Sequence, residues 1–440
     1  MRLYRRLAAL CTVAISLSLL HGQNRVLDGP VRTDAAGLNS DGRIALYEKR
    51  LREHPDDGRV QAGLASAFMQ KLRETTDFAY LNRASAIVEK MLAVDPKNYD
   101  AIRLTAEMET HRHNFPRAAS FAEELIQRNP SDTGAWGMLG DSFMELGKYD
   151  EAGEAYQRML TLRPNLASYN RVAYHRFVTG KTDESLGWMS LAVQAGSPTP
   201  ENLAWCLVEF GDMLFKTGRT SDAHQAYEQA LRLLPGYHRA YGALGREFAA
   251  AGQFEKAAGE LERALAVIPL PDYAGPLQTI YGKLGKTAQA KQQSDLLDVI
   301  DKLGRTNGEK GNRALAVVYA DQNRNLARAL ELAQGELETR KDVYTYDALS
   351  WVLFRNGKQK EAEEASEKAM AMNTPEPGFY YHAGMIAIGA GKEHAGLDLL
   401  RRALELNPNF SYPQALDAKR RLGLVAADAV SATKSPVMLR

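Results

Sequence analysis

The chain has 440 residues, and its 55 Lys plus Arg stand against 54 Asp plus Glu. With no basic excess to neutralise phosphates, bulk electrostatics argue against nucleic-acid binding. The abundant Ala, Leu, Glu, Arg and Lys are all good helix formers, so the composition favours helix.

The amino terminus has a basic start at Arg2, Arg5 and Arg6, an apolar run from Leu7 to Leu20, and a short polar exit. The run is too short to span a bilayer comfortably and fits the apolar region of a secretory signal peptide. Residues 1–23 are therefore expected to be a signal peptide, cleaved near Gly22 or Gln23. The alternative is an uncleaved leader that tethers the protein to a membrane. Either way the chain is expected in the periplasm or outside the cell, with no membrane insertion after cleavage. Cys11 leaves with the leader, so Cys206 is alone and no internal disulfide can form. It reads as a small buried residue on a helix. Residues 24–42 are expected to be a flexible linker and 43–57 an amino-terminal capping helix.

From 58 to 410 the chain repeats itself. Thr133 to Pro164 and Ala204 to Pro235 align residue for residue. Each has a large residue followed by a small one, Leu139–Gly140 and Phe210–Gly211. Phe143 or Leu214 follows, then Gly147 or Gly218, then Ala152 or Ala223, then Tyr156 or Tyr227, and Pro164 or Pro235 closes the unit. Apolar positions at three- and four-residue spacing make one stripe on each of two helices. The central Gly supplies the left-handed conformation that ends the first helix. The closing Pro stops the second helix. The same positions recur as Leu244–Gly245, Gly252 and Ala257, as Leu349–Ser350, Gly357 and Ala362, and as Ala383–Gly384, Gly391 and Ala403.

This spacing resembles the tetratricopeptide repeat family, whose 34-residue unit is a helix–turn–helix. The resemblance implies an all-α fold: an α-solenoid of about ten units forming a curved right-handed superhelix. The pattern is weakest around 166–203 and 271–342. The unit from Gly58 to Pro96 is about five residues too long, which predicts an expanded turn near Arg73 to Tyr80. Gln278 stands where a small residue belongs. The GRTNGEKGN stretch reads as a loop, with a kink between Gly304 and Asn312. Residues 411–424 are expected to form a carboxyl-terminal capping helix, and 425–440 a disordered tail.

Catalytic and metal-binding motifs are missing from the sequence: no Walker-type loop, no G-x-S-x-G, no H-E-x-x-H and no paired Cys. His111 and His113 lie two apart, which points their rings away from each other on a helix; they read as a solvated turn. No enzyme activity, cofactor or metal is expected. The resemblance instead implies a concave surface lined by the first helix of each unit. Carrying the family's inner positions over gives Tyr344, Asp347, Trp351, Phe354, Arg355, Tyr381 and Met385 near the carboxyl end. In the middle of the array it gives Tyr174, Phe177, Trp205, Asp212, Phe215, Arg239 and Arg246. Trp351 with Phe354, and Tyr381 with Met385, share faces of neighbouring helices and predict an aromatic groove open to the concave side. The Lys and Asn clamp of some family members is missing: those positions hold Arg103 and Glu107, Gly137 and Asp141, or Gly242 and Arg246. The expected function is a protein-interaction scaffold of the cell envelope or exterior, binding a protein or peptide on its concave surface. The alternative is an accessory substrate-binding subunit of an envelope enzyme or secretion complex whose catalysis lies on another chain.

Overall fold

A computed structural model describes residues 37–425 except residue 198. The signal-peptide expectation for 1–23 and nearly all of the tail expectation for 425–440 lie outside the described residues.

After α1 (Ser40–Glu53) come ten helix pairs, here units 1 to 10. They are α2 (Gly58–Thr75) with α3 (Ala79–Val94), α4 (Tyr99–His111) with α5 (Phe115–Arg128), α6 (Thr133–Glu145) with α7 (Tyr149–Leu162), α8 (Leu166–Val178) with α9 (Thr182–Ala195), and α10 (Pro200–Lys216) with α11 (Thr220–Leu233). There follow α12 (His238–Ala250) with α13 (Phe254–Val267), α14 (Pro271–Lys283) with α15 (Thr287–Thr306), α16 (Arg313–Asp321) with α17 (Leu326–Glu336), α18 (Val343–Arg355) with α19 (Gln359–Met370), and α20 (Pro377–Gly389) with α21 (Glu393–Leu406). α22 (Gln414–Arg421) packs against unit 10. The described residues contain helices and no strands, and successive pairs stack into an all-α solenoid.

Local chemistry sets the helix starts. Asp57, Asn98, Asp132, Asn312 and Asp342 each accept a backbone N–H of the first turn behind them, satisfying donors that have no partner inside the helix. Within a unit the two helices meet through small residues. Gly140 lies against the Tyr156 ring and Gly211 against the Tyr227 ring, so close that a Cβ would enter the ring. Each Tyr then reaches over its Gly to donate to the next residue: Tyr156 to Asp141 at 2.9 Å and Tyr227 to Asp212 at 2.7 Å. Burying such a ring stabilises by roughly 1.5–3 kcal/mol, and its hydroxyl keeps a partner.

The structure departs from the sequence reading at several edges. α1 begins at Ser40, inside the stretch expected to be linker, because Asn39 caps it through Gly42 N at 2.9 Å and Ser40 is buried against Glu74. The extra residues of unit 1 do not expand the turn. They lengthen α2 through Thr75, and Thr76 takes the left-handed conformation that stops it. α15 likewise runs on through Thr306, taking in the first three residues of the stretch read as loop and leaving 307–312 as the connection, within the range expected for the kink. The weakly patterned stretches 166–203 and 271–342 still form helix pairs.

The solenoid also returns on itself. Residues 341–344, 372–376 and 406–412 touch the turns of units 3 to 6, although they lie between about 160 and 200 residues later in the chain. One apolar cluster joins Met144, Tyr149 and Val178 to Val343 and Phe379.

Candidate interaction surface

The first helices of neighbouring units are tied by ion pairs. Arg73 pairs with Glu107, Asp141 with Arg171 at 2.8 Å, Asp212 with Arg246 at 3.0 Å, Arg313 with Asp342 at 3.1 Å, and Asp347 with His382 at 3.0 Å. In units 3 and 5 the acid is the same Asp that accepts the tyrosine hydroxyl. One carboxylate therefore joins both helices of its unit to the first helix of the next. Neither Asp141 nor Arg171 stands among the sequence candidates. The signal for them was visible: Gly140–Asp141 and Gly211–Asp212 repeat the same dipeptide at the same register.

Residues from distant units share one interior. Glu201 on α10 lies near enough to Arg73 on α2 and Arg239 on α12 for each to perturb its carboxyl, which burial already raises. Glu209 on α10 is raised by burial and then by Asp212, with Arg239, Lys216 and Arg246 opposing. Arg246 loses hydration, but Asp212 and then Tyr227 more than offset that, and its pKa ends raised. Even so, the Arg246 side chain keeps 43% of its surface open to solvent. Arg239 is exposed too, and among the described residues it has no hydrogen bond or ion pair. These accessible charges stand together on one wall formed by α10 and α12.

The expected residues divide into three groups. Asp212, Arg239 and Arg246 lie together on this wall. Tyr174, Phe177, Phe215 and Tyr344 lie instead where the solenoid returns on itself. Phe177 and Phe215 are buried, Tyr174 and Tyr344 are half-buried, and Lys216 sits 5.6 Å over the Phe177 ring and 5.5 Å over the Tyr344 ring. The third group corrects the sequence reading, because the aromatic groove of units 9 and 10 is not open. Trp351 is 2% exposed and Tyr381 6%. The Trp351 ring stacks on His382 at 4.4 Å and its Nε1 donates to Asp321 at 2.8 Å. Tyr381 donates to Asp417 of α22 at 3.0 Å. Asp347 is taken by His382, whose pKa ends raised although burial opposes its charge. Phe354, Arg355 and Met385 stay half-buried, with the Arg355 guanidinium 5.3 Å over the Trp351 ring. Aromatic residues at first-helix positions thus pack neighbouring first helices together. Trp205 is half-buried in a similar apolar cluster.

Cys206 is buried and accepts from Asn170 at 3.3 Å, and burial pushes its thiol up to about 12. A thiol held so high is not a nucleophile at neutral pH. His111 ends α4, and His113 follows it at a left-handed backbone position. Burial, then Arg340 and Arg313, drives His113 down to about 4. Among the described residues no group of three or more His, Cys, Asp or Glu is placed to hold a metal ion. No helix of the described residues is long and apolar enough to cross a membrane. A cavity of about 20 Å³ lies between Glu145, Tyr149, Tyr174, Arg313 and Tyr344, room for about one water.

Three family models, each described as tetratricopeptide repeat, match residues 112–200 in two overlapping stretches, 214–278 and 377–410. Among curated proteins, the aspartyl/asparaginyl beta-hydroxylase of Mus musculus is 23% identical over 191 residues, covering 42% of this chain and 25% of its own. Anaphase-promoting complex subunit 7 of Arabidopsis thaliana is 28% identical over 169 residues, covering 38% and 29%. The chain thus spans between a quarter and a third of the length of these relatives. Among solved structures, the type IV pilus biogenesis factor PilW is 18% identical, with 46% of this chain and 92% of that one covered at a TM-score of 0.40. The Cut9–Hcn1 complex gives 14%, 89% and 69%, also at 0.40.

Proposed function

The chain belongs to the tetratricopeptide repeat superfamily, and we infer from this and from its inner wall that it is a protein-interaction scaffold that takes an extended polypeptide segment against α10 and α12. The observation that carries this reading is the accessible, unpaired Arg239 beside the half-buried Glu209 and the paired Asp212 and Arg246. A peptide backbone and its charged side chains can satisfy both signs at once. Arginine at such a position is a common interface anchor. The basic start and apolar run within residues 2–20 support export, with a partner in the cell envelope or outside the cell.

Capture from envelope extract with chemical cross-linking tests the reading. Wild type should retain a partner cross-linked to α10 or α12, and the Glu209→Lys, Arg239→Glu double variant should lose at least about tenfold in retention, roughly 1.4 kcal/mol. Retention unchanged by that double variant would remove the inner wall from the binding site. Export is tested separately: the amino terminus of protein from the envelope fraction should begin near Gln23 or Asn24. Recovery of intact Met1 from the cytosol would refute it.

A further inference from the structure

The contacts that return the solenoid on itself form one continuous seam. Lys341 N donates to Glu145 O at 2.7 Å, Val343 N to the Tyr149 hydroxyl at 2.8 Å, Thr374 Oγ1 to Val178 O at 2.6 Å, and Asn407 Nδ2 to Phe215 O at 2.6 Å. Two ion pairs cross it, Arg340–Glu145 at 2.9 Å and Lys216–Glu376 at 2.7 Å. The Phe254 and Tyr412 rings meet at a tilt across its far end, 4.7 Å apart. From unit 3 to unit 5, each step along the seam advances one unit on both sides.

The turn glycines record this seam. Gly147, Gly180, Gly218, Gly252, Gly357 and Gly391 all hold positive φ between 71° and 80° at equivalent turns. A Cβ at Gly147 would lie 2.5 Å from Lys341 O, at Gly180 3.0 Å from Asn373 O, and at Gly218 2.8 Å from Leu406 O. At Gly252, Gly357 and Gly391 it would meet nothing within 4 Å. The six positions do one job locally, and only three of them also let a second turn of the superhelix approach.

We propose that this seam is a releasable lock: closed, it holds units 3 to 6 against units 9 and 10 as one body and takes up Tyr174, Phe177 and Tyr344; open, it offers those rings to the extended polypeptide segment proposed above. The second half of this statement rests on the interaction reading above, whereas the lock itself stands on the seam alone. Most of its specific contacts are hydrogen bonds and ion pairs, which exchange readily for water, around a small apolar cluster.

The glycines supply a matched test in the full chain. Gly147→Ala, Gly180→Ala and Gly218→Ala suffer the same local backbone strain as Gly252→Ala, Gly357→Ala and Gly391→Ala, but only the first three press on the seam. Hydrogen exchange of the amides of Lys341, Val343 and Asn373 should quicken at least about tenfold in the first set relative to the second. The small-angle scattering radius should grow in the first set alone. Equal exchange and equal radius in both sets would overturn the lock. Should a seam glycine variant fail to fold, Lys216→Met with Thr374→Val leaves the turns untouched and carries the same comparison against Gly391→Ala, with the same two outcomes. None of these readouts involves a partner, so loss of the lock and loss of the interaction reading are told apart.

Discussion

At Gly211 the two helices of unit 5 meet with no side chain between them, and the Tyr227 ring fills the place of a Cβ. Gly211→Ala should therefore destabilise by roughly 1–3 kcal/mol through overpacking, measured as a fall in the denaturant midpoint with unchanged slope. Gly211→Leu should cost more, and Gly245→Leu should behave likewise against Leu261, whose Cγ lies 2.6 Å from the added Cβ position. A Gly211 variant that melts like wild type would show that the helices do not approach there. Charge is read at the same scale. His238 is buried beside the Tyr273 hydroxyl at 2.8 Å, and burial, then Arg239, lowers its pKa from 6.5 to about 4. A folded pKa below the unfolded one means that the unfolded chain takes the proton first. Stability is then complete above about pH 6.5 and is lost as pH falls toward 4, by up to roughly 3 kcal/mol for this group. His238→Gln should flatten that part of the melting-temperature profile. A profile parallel to that of wild type would take His238 out of the acid sensitivity. Glycine at the eighth position and tyrosine sixteen residues later were legible in the sequence because sterics dictates them. The electrostatic role of His238 was not, because it depends on what the next unit places around the ring.

The helix pairs were legible for a different reason. Each is a local unit whose stripe, cap and stop lie within about 34 residues, so α6 with α7 and α10 with α11 follow directly from spacing. Helix ends were less so. The extra turn of α2 reads as loop because Arg73, Glu74 and Thr75 are polar, yet Arg73 pairs with Glu107 of the next unit and so has a reason to stay helical. The largest misreading was the aromatic content of α18 and α20. Large rings at inner-face positions have the same residue types whether they wait for a partner or fill the space between first helices, and only the neighbours decide. Here His382, Asp321 and Asp417 close over Trp351 and Tyr381. Trp351→Ala should accordingly cost roughly 3–5 kcal/mol, the range of a large core aromatic, and lower the thermal midpoint. An Ala variant as stable as wild type would return Trp351 to the surface. The Asp141–Arg171 pair offers an element-scale measurement as well. A double-mutant cycle with Asp141→Asn and Arg171→Met should give a coupling of about 0.5–3 kcal/mol, since both side chains are about one-third exposed and Asp141 also accepts the Tyr156 hydroxyl. A coupling near zero would leave the shared carboxylate without a stacking role.

For the whole molecule, a solenoid of independent neighbours should behave as a one-dimensional array, able to fray from either end. The seam changes that expectation, because units 9 and 10 then gain contacts from units 3 to 6 and not only from each other. None of this was legible in the sequence. Gly147, Gly180 and Gly218 carry the same turn signal as Gly357 and Gly391, and Lys341, Thr374 and Asn407 look like ordinary connection residues. Contacts separated by about 190 residues arise from the accumulated rotation of all the units between them, which no single repeat encodes. The inner wall around Arg239 has the shape it does only if this return holds in solution. Spin labels at Lys148→Cys and Lys341→Cys test that directly, both residues being exposed beside the Glu145–Lys341 backbone contact. The buried Cys206 should stay unlabelled, and Cys11→Ser removes the other thiol. Pulsed electron-spin distance measurement should give a single narrow distribution at short distance. A broad distribution centred at long distance would mean that the solenoid is open and that the closed inner wall does not exist.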